Sequence, residues 1–190
     1  MRLPYTDNPP NFTSEEDKAT LEAVKARRGP RGLIALDLAL LHAPPIAGGW
    51  NALLGAVRTK NSLNASIREI AISRVAVLNK AWFEWNAHAP ILKDAGEVND
   101  EGINYVKTAP PTQNQPLGSG PLDEKHAAVM AYADAMTKDV EVSDAVFSKI
   151  KSLFSEREVI ELTATIAAYN CVSRFLVALD VGEANSTGPN

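Results

Sequence analysis

Apolar positions recur along the chain at helical spacing, and prolines and glycines cut that pattern into segments. Ser14 with Asp17 three residues on fits an N-cap, which predicts a helix to about Arg28 before Gly29-Pro30 stops it. Leu33 to Leu41 is an apolar helix ended by His42-Ala43-Pro44-Pro45. Ile46 to Arg58 resumes with Trp50, Leu53, Leu54 and Val57 at helical spacing. Ser66 to Asn79 carries Ile70, Val75, Val77 and Leu78 and reads as a mostly buried helix. Asn79-Lys80 breaks it before Trp82 to Asp94. A short helix is expected over Glu97 to Val106, with Asn99 or Asp100 near its cap.

The stretch from Thr108 to Pro121, TAPPTQNQPLGSGP, is the clearest linker and reads either as a lid or as a connector. Beyond it, Leu122 to Lys138 is an amphipathic helix carrying Ala127, Ala128, Met130, Ala131 and Ala135. Ser143 or Asp144 caps another helix running to Leu153. Ser155 and Glu158 form a capping-box pattern that opens a helix to Leu179. No alternating strand pattern of useful length appears, so the fold class is all-α. One domain over residues 1–190 is expected, with an extended N-terminal arm over 1–13 and a flexible polar tail over 182–190.

Composition narrows the function classes. Hydrophobic residues make up 45% and charged residues 22%, which is ordinary for a soluble globular protein. No apolar run is expected to reach membrane-spanning length, and the N-terminus lacks the basic-then-apolar order of a signal peptide. An intracellular, cytoplasmic location follows as the expectation. The formal charge of -4 comes from 19 basic and 23 acidic residues mixed along the chain, which offers no stripe for nucleic acid or anionic lipid. The single cysteine, Cys171, excludes an intrachain disulfide and any dithiol cycle.

Candidate chemistry concentrates between Glu69 and His88, where two acids and a histidine stand at spacings of fifteen and four. Glu84 and His88 are one helical turn apart, so a carboxylate on that face would orient the imidazole and raise its pKa. The bland reading is an exposed pair that merely supports the helix. Glu69 lies among apolar residues and, if buried, needs a partner. It is either a site group or half of an ion pair with Arg68 or Arg74. His42, Tyr169, Asn170, Trp82 and Trp85 are candidate substrate contacts, with structural hydrogen bonding or packing as the alternative for each. Trp50 reads as core or interface. A metal set of Glu69, Glu84, His88 and His42 lacks the paired Glu-x-x-His pattern of helical di-iron sites, and no phosphate-binding glycine motif is present, so no cofactor is expected.

Four segments resemble the carboxymuconolactone decarboxylase family, within the superfamily that includes alkylhydroperoxidase D. They are LLHAPPIAGGWNALLGAVR from Leu40, REIAISRVAVLNKAWFEWNAHAP from Arg68, YADAMT from Tyr132 and ELTATIAAYNCVSRFLVALDV from Glu161. In the peroxidase branch a glutamate is followed at twelve and fifteen residues by cysteines and at nineteen by a histidine. Here Glu69 and His88 keep that spacing, while Ala81 and Glu84 stand at the cysteine positions. Thiol peroxidase chemistry by that route is therefore excluded. The resemblance implies a cofactor-free helical enzyme that forms trimers or hexamers. It implies decarboxylation of a small unsaturated keto acid or lactone acid through an enolate. The same residues serve an isomerase, cyclase or dehydratase acting on a natural-product intermediate, and a non-catalytic binding or assembly protein is the third reading.

Overall fold

The computed structural model describes residues 1–118 and 120–188, and among these every regular element is helical. The helices are α1 (Glu15–Arg28), α2 (Ala35–Leu40), α3 (Pro44–Thr59), α4 (Ala65–Leu78), α5 (Trp82–Asp94), α6 (Asp100–Thr108), α7 (Glu124–Asp134), α8 (Asp144–Leu153) and α9 (Glu156–Leu179). The expected boundaries hold to within a few residues. Pro44 and Pro45 start α3 rather than merely precede it, because proline suits the first helical turn, where no amide partner is needed. Asn99 caps α6 by accepting from Gly102 N at 2.8 Å, so that helix begins three residues later than Glu97. The helix expected to Lys138 leaves α geometry at Ala135 and finishes as a π turn over Ala135–Asp139.

Helix α4 is the centre around which the others pack. Its caps are local, with the Asn64 side chain accepting from Ser66 N, and ten of its fourteen residues are buried. It lies against α5, α7 and α9. Helix α9 is long and apolar enough to span a membrane by length and composition, against expectation, yet half of that window is buried against the other helices. Its inward residues Leu162, Ile166, Val172 and Leu176 belong to the same core as Ile70, Ile72 and Val75 of α4.

One buried charge pins α4. Arg74 is fully enclosed and donates to Asp134 of α7 at 2.5 and 3.1 Å and to the carbonyls of Val106 and Ala109 at 2.8 and 2.9 Å. Every element that meets the linker is thereby tied to the central helix. Arg74 is also fully occupied, so it is not the partner of Glu69.

The segment over 1–13 lies extended along the helices: Arg2 N donates to Leu179 O at 2.8 Å, and the Tyr5 hydroxyl accepts from Gly182 N at 2.8 Å. At the other end, Asn185 N donates to the Asp180 carboxylate at 3.0 Å. Residue 119 of the expected linker, and residues 189–190 of the expected tail, lie outside the described residues.

Candidate active site

Glu69 and His88 meet because α4 and α5 pack as an antiparallel hairpin around the Asn79–Ala81 turn, where Lys80 takes a positive φ of 56°. His88 Nδ1 lies 2.6 Å from Glu69 Oε2, and both side chains are buried. The other Glu69 oxygen accepts from Arg68 Nε at 3.2 Å. On the far side of the ring, the Tyr169 hydroxyl from α9 stands 3.2 Å from His88 Nε2, with the two rings edge to face.

The electrostatics assign the protons. Burial raises the Glu69 carboxyl, but the hydrogen bond and charge of His88, reinforced by Arg68 and Arg58, outweigh it and hold Glu69 below the ordinary carboxylate range. An ionised carboxylate only accepts, so His88 Nδ1 carries the hydrogen. Burial also pushes the His88 pKa below its usual value, more than Glu69 lifts it. The imidazole is therefore neutral near pH 7, and its Nε2 lone pair accepts the Tyr169 proton. Desolvation raises the Tyr169 pKa, which keeps that hydroxyl protonated.

Glu84 does not orient His88. Its carboxyl turns to α9, where the Ser173 hydroxyl lies 3.0 Å from each oxygen. The i,i+4 spacing put both side chains on one face, but Glu69 already occupies Nδ1 and Tyr169 already faces Nε2. Glu84 is fully buried with no cation within ion-pair distance among the described residues, and desolvation drives its pKa well above the carboxylate range against the lowering effect of Ser173. Burial thus favours its protonated, neutral form. A buried imidazole and a buried carboxyl, whose pKa values burial pushes in opposite directions, sit one helical turn apart, which is the separation of roles that acid/base catalysis uses.

Both groups open on one cavity of about 430 Å³, together with Tyr169. Its walls are largely apolar, from Leu36, Trp50, Leu54, Phe83, Ile91 and Leu176, and Arg58 also lines it. Trp50 packs against Phe175 with ring centroids 5.3 Å apart, so it is both core and cavity wall rather than core alone. Arg58 was not among the sequence candidates. The signal was available, since Trp50, Leu54 and Arg58 recur at four-residue spacing on one face of α3. Ser173 was likewise missed, because it gains meaning only from Glu84.

The remaining candidates lie elsewhere. His42 is exposed and its Nε2 lies 2.7 Å from the Pro4 carbonyl, so it holds the N-terminal arm rather than a ligand. Asn170 is spent on Thr137, Ile166 O, Asn79 and Arg174, bracing α9 against the π turn and the end of α4. Trp85 faces a second, shallower hollow between α5 and α6, and Trp82 packs half-buried against the core. A third histidine, His126, bridges Asp123 at 2.7 Å and Ser66 at 2.8 Å. Ser66 is fully enclosed there, so this serine, histidine and aspartate join the starts of α4 and α7 and face no ligand space. No group of three or more His, Cys, Asp or Glu is placed to hold a metal among the described residues.

This helical arrangement defines the class: an alkylhydroperoxidase D-like fold. Residues 44–104, which hold α3, α4, α5 and the start of α6, match the carboxymuconolactone decarboxylase family, so the resemblance carried by Leu40–Arg58 and Arg68–Pro90 is shown. The later segments from Tyr132 and Glu161 lie outside that match. A protein of unknown function from Agrobacterium tumefaciens is similar at 23% identity, TM-score 0.59, over 73% of this chain and 90% of its own. An uncharacterised peroxidase-related protein from Ralstonia eutropha JMP134, described as an alkylhydroperoxidase AhpD core, is 20% identical at TM-score 0.68, covering 100% and 92%. The debrominase Bmp8 in complex with 2,3,4-tribromopyrrole is 16% identical at TM-score 0.67, covering 88% and 84%. No curated protein sequence matches the chain.

Proposed function

We propose that this protein is a cofactor-independent acid/base enzyme that decarboxylates a small unsaturated keto acid or lactone acid. The observation that carries the reading is the Glu69–His88–Tyr169 chain, whose His88 and Tyr169 line one cavity together with the buried Glu84. Heterolysis of the C–C bond releases carbon dioxide and leaves its electron pair on the substrate, where a carbonyl must delocalise it as an enolate. The Tyr169 O–H turns from His88 to that developing oxyanion, and an aimed donor of this kind is worth about 10²- to 10³-fold. The Glu84 carboxylic acid then delivers its proton to carbon and is recharged from solvent.

The same groups support isomerisation, cyclisation or dehydration, with His88 Nε2 as the base and Glu84 as the acid. The two readings separate on a panel of unsaturated keto acids and lactone acids with carbon dioxide measured directly. Carbon dioxide release that falls about 10²- to 10⁴-fold in Glu84→Gln supports decarboxylation. Product without carbon dioxide supports the alternative. The burial of Glu84 and His88 beside a cavity speaks against a purely structural helical protein.

A further inference from the structure

Four arginines line the cavity, and Arg58 is the half-buried one among them without a hydrogen bond or ion pair among the described residues. The rest of the body is largely apolar, an asymmetry that specifies a ligand. Of the arginines that line it, Arg28 is held by Asp37 at 2.7 Å through both arms, and Arg27 is held by Asn51. Arg68, behind the site, is committed to Glu69. Arg31 is exposed at the rim. Arg58, half-buried, makes no hydrogen bond or ion pair within 4 Å among the described residues, although its charge bears on Glu69, His88 and Tyr169. A half-buried guanidinium with idle donors, next to the reactive groups, is a fork for one carboxylate.

The other lining cation without a partner among the described residues, Arg31, stands exposed at the rim, where solvent screens it. Glu84 would repel an anion once ionised, and Leu36, Trp50, Leu54, Phe83, Ile91 and Leu176 present carbon. An apolar cavity of about 150 Å³ accommodates one benzene ring, and this one measures about 430 Å³. It therefore has room for two or three fused rings. A compact diacid would leave most of that wall against water and bring a second charge that only the solvent-screened Arg31 could meet.

We propose that the cavity binds a monoanionic acid with a fused-ring, aromatic body, its carboxylate on Arg58 and its rings between Trp50, Phe83 and Leu176. This rests on the acid/base reading for the position of the reacting carbon, but the selectivity itself is a matter of binding. Titration calorimetry at pH 7 with three probes tests it: 2-naphthoate, its neutral isostere 2-naphthamide, and the compact diacid cis,cis-muconate. 2-Naphthoate is expected to bind at least about 10-fold more tightly than either of the others. Arg58→Gln should weaken 2-naphthoate about 10- to 100-fold and leave 2-naphthamide unchanged. Arg31→Gln, at the exposed rim, should change either by less than about threefold. Circular dichroism on each variant separates lost binding from lost folding.

Equal affinity for acid and amide, tighter binding of muconate, or indifference to Arg58→Gln would overturn the proposal. Naphthoate binding with no turnover on any keto acid would leave this inference standing and remove the decarboxylase reading. Turnover of a compact lactone acid without naphthoate affinity would do the reverse.

Discussion

Replacing Glu84 by glutamine should change how the stability of this protein depends on pH. The carboxyl is fully buried and has a single hydroxyl, that of Ser173, for both of its oxygens. In the folded state it therefore keeps its proton well above the ordinary value of 4.5, whereas in the unfolded chain it ionises near that value. Between the two pKa values the native state holds one proton that the unfolded state has released. A raised folded pKa contributes stability that is complete below the unfolded pKa and is lost as pH rises through the folded one. The unfolding free energy then falls by about 1.4 kcal/mol per pH unit, the value for one proton. Glutamine has the same shape, keeps an acceptor for Ser173 and cannot ionise, so the variant lacks this slope. Urea unfolding of both proteins at pH 5, 6 and 7 should show the variant gaining about 1.4 kcal/mol on the wild type at each step until Glu84 ionises. Parallel profiles, differing by less than about 0.3 kcal/mol per unit, would mean that Glu84 is ionised in the native protein, and its role as proton donor would be withdrawn.

Arg74→Met breaks an enclosed ion pair and leaves Asp134 buried without a cation, with the Thr112 amide as its remaining donor. A loss of about 3–5 kcal/mol is expected, seen as a drop of about 6–20 °C in a thermal melt, and a drop under about 3 °C would contradict the packing described. Gly182 has φ +73°, and an added Cβ would stand 2.3 Å from Phe83 Cδ2. Gly182→Ala should therefore cost about 1–3 kcal/mol in unfolding experiments, and a neutral result would mean that Phe83 is not seated against this turn. Tyr169→Phe removes the hydroxyl at His88 Nε2. It should cost about 1 kcal/mol in stability and about 10²- to 10³-fold in turnover on any substrate the panel identifies, and unchanged turnover would exclude Tyr169 from the oxyanion role.

The helices were legible in the sequence because their ends are written locally. Ser14, Asn64, Asn99, Ser143 and Ser155 each cap the helix that follows with their own side chains. The π turn after α7 was not, since nothing in Ala135 to Asp139 departs from a helical pattern and the change comes with tertiary packing. Within the site, the spacing of Glu69, Glu84 and His88 pointed to three residues that the fold brings close together, but it paired His88 with Glu84 where the structure pairs it with Glu69. Helical periodicity reports which side chains share a face of one helix, and Glu69 reaches His88 from another. His42 shows the opposite error, because a histidine beside prolines carries no sign of the arm that covers it. Arg58 stayed unnoticed since an arginine at a helix end reads as solvated surface, and only the cavity reveals its setting.

The most direct test of the account is the protonation state of His88, read from side-chain nitrogen NMR shifts across a pH titration of the wild type, Glu69→Gln and Glu84→Gln. The wild type should show hydrogen on Nδ1, a bare Nε2 at pH 7, and a midpoint below the ordinary histidine value of 6.5. Removing the Glu69 charge should lower that midpoint further, since the carboxylate is what lifts it, and Glu84→Gln should leave it in place. A midpoint above 6.5 that falls on Glu84→Gln and ignores Glu69→Gln would contradict the central claim that Glu69 orients His88 as a neutral base.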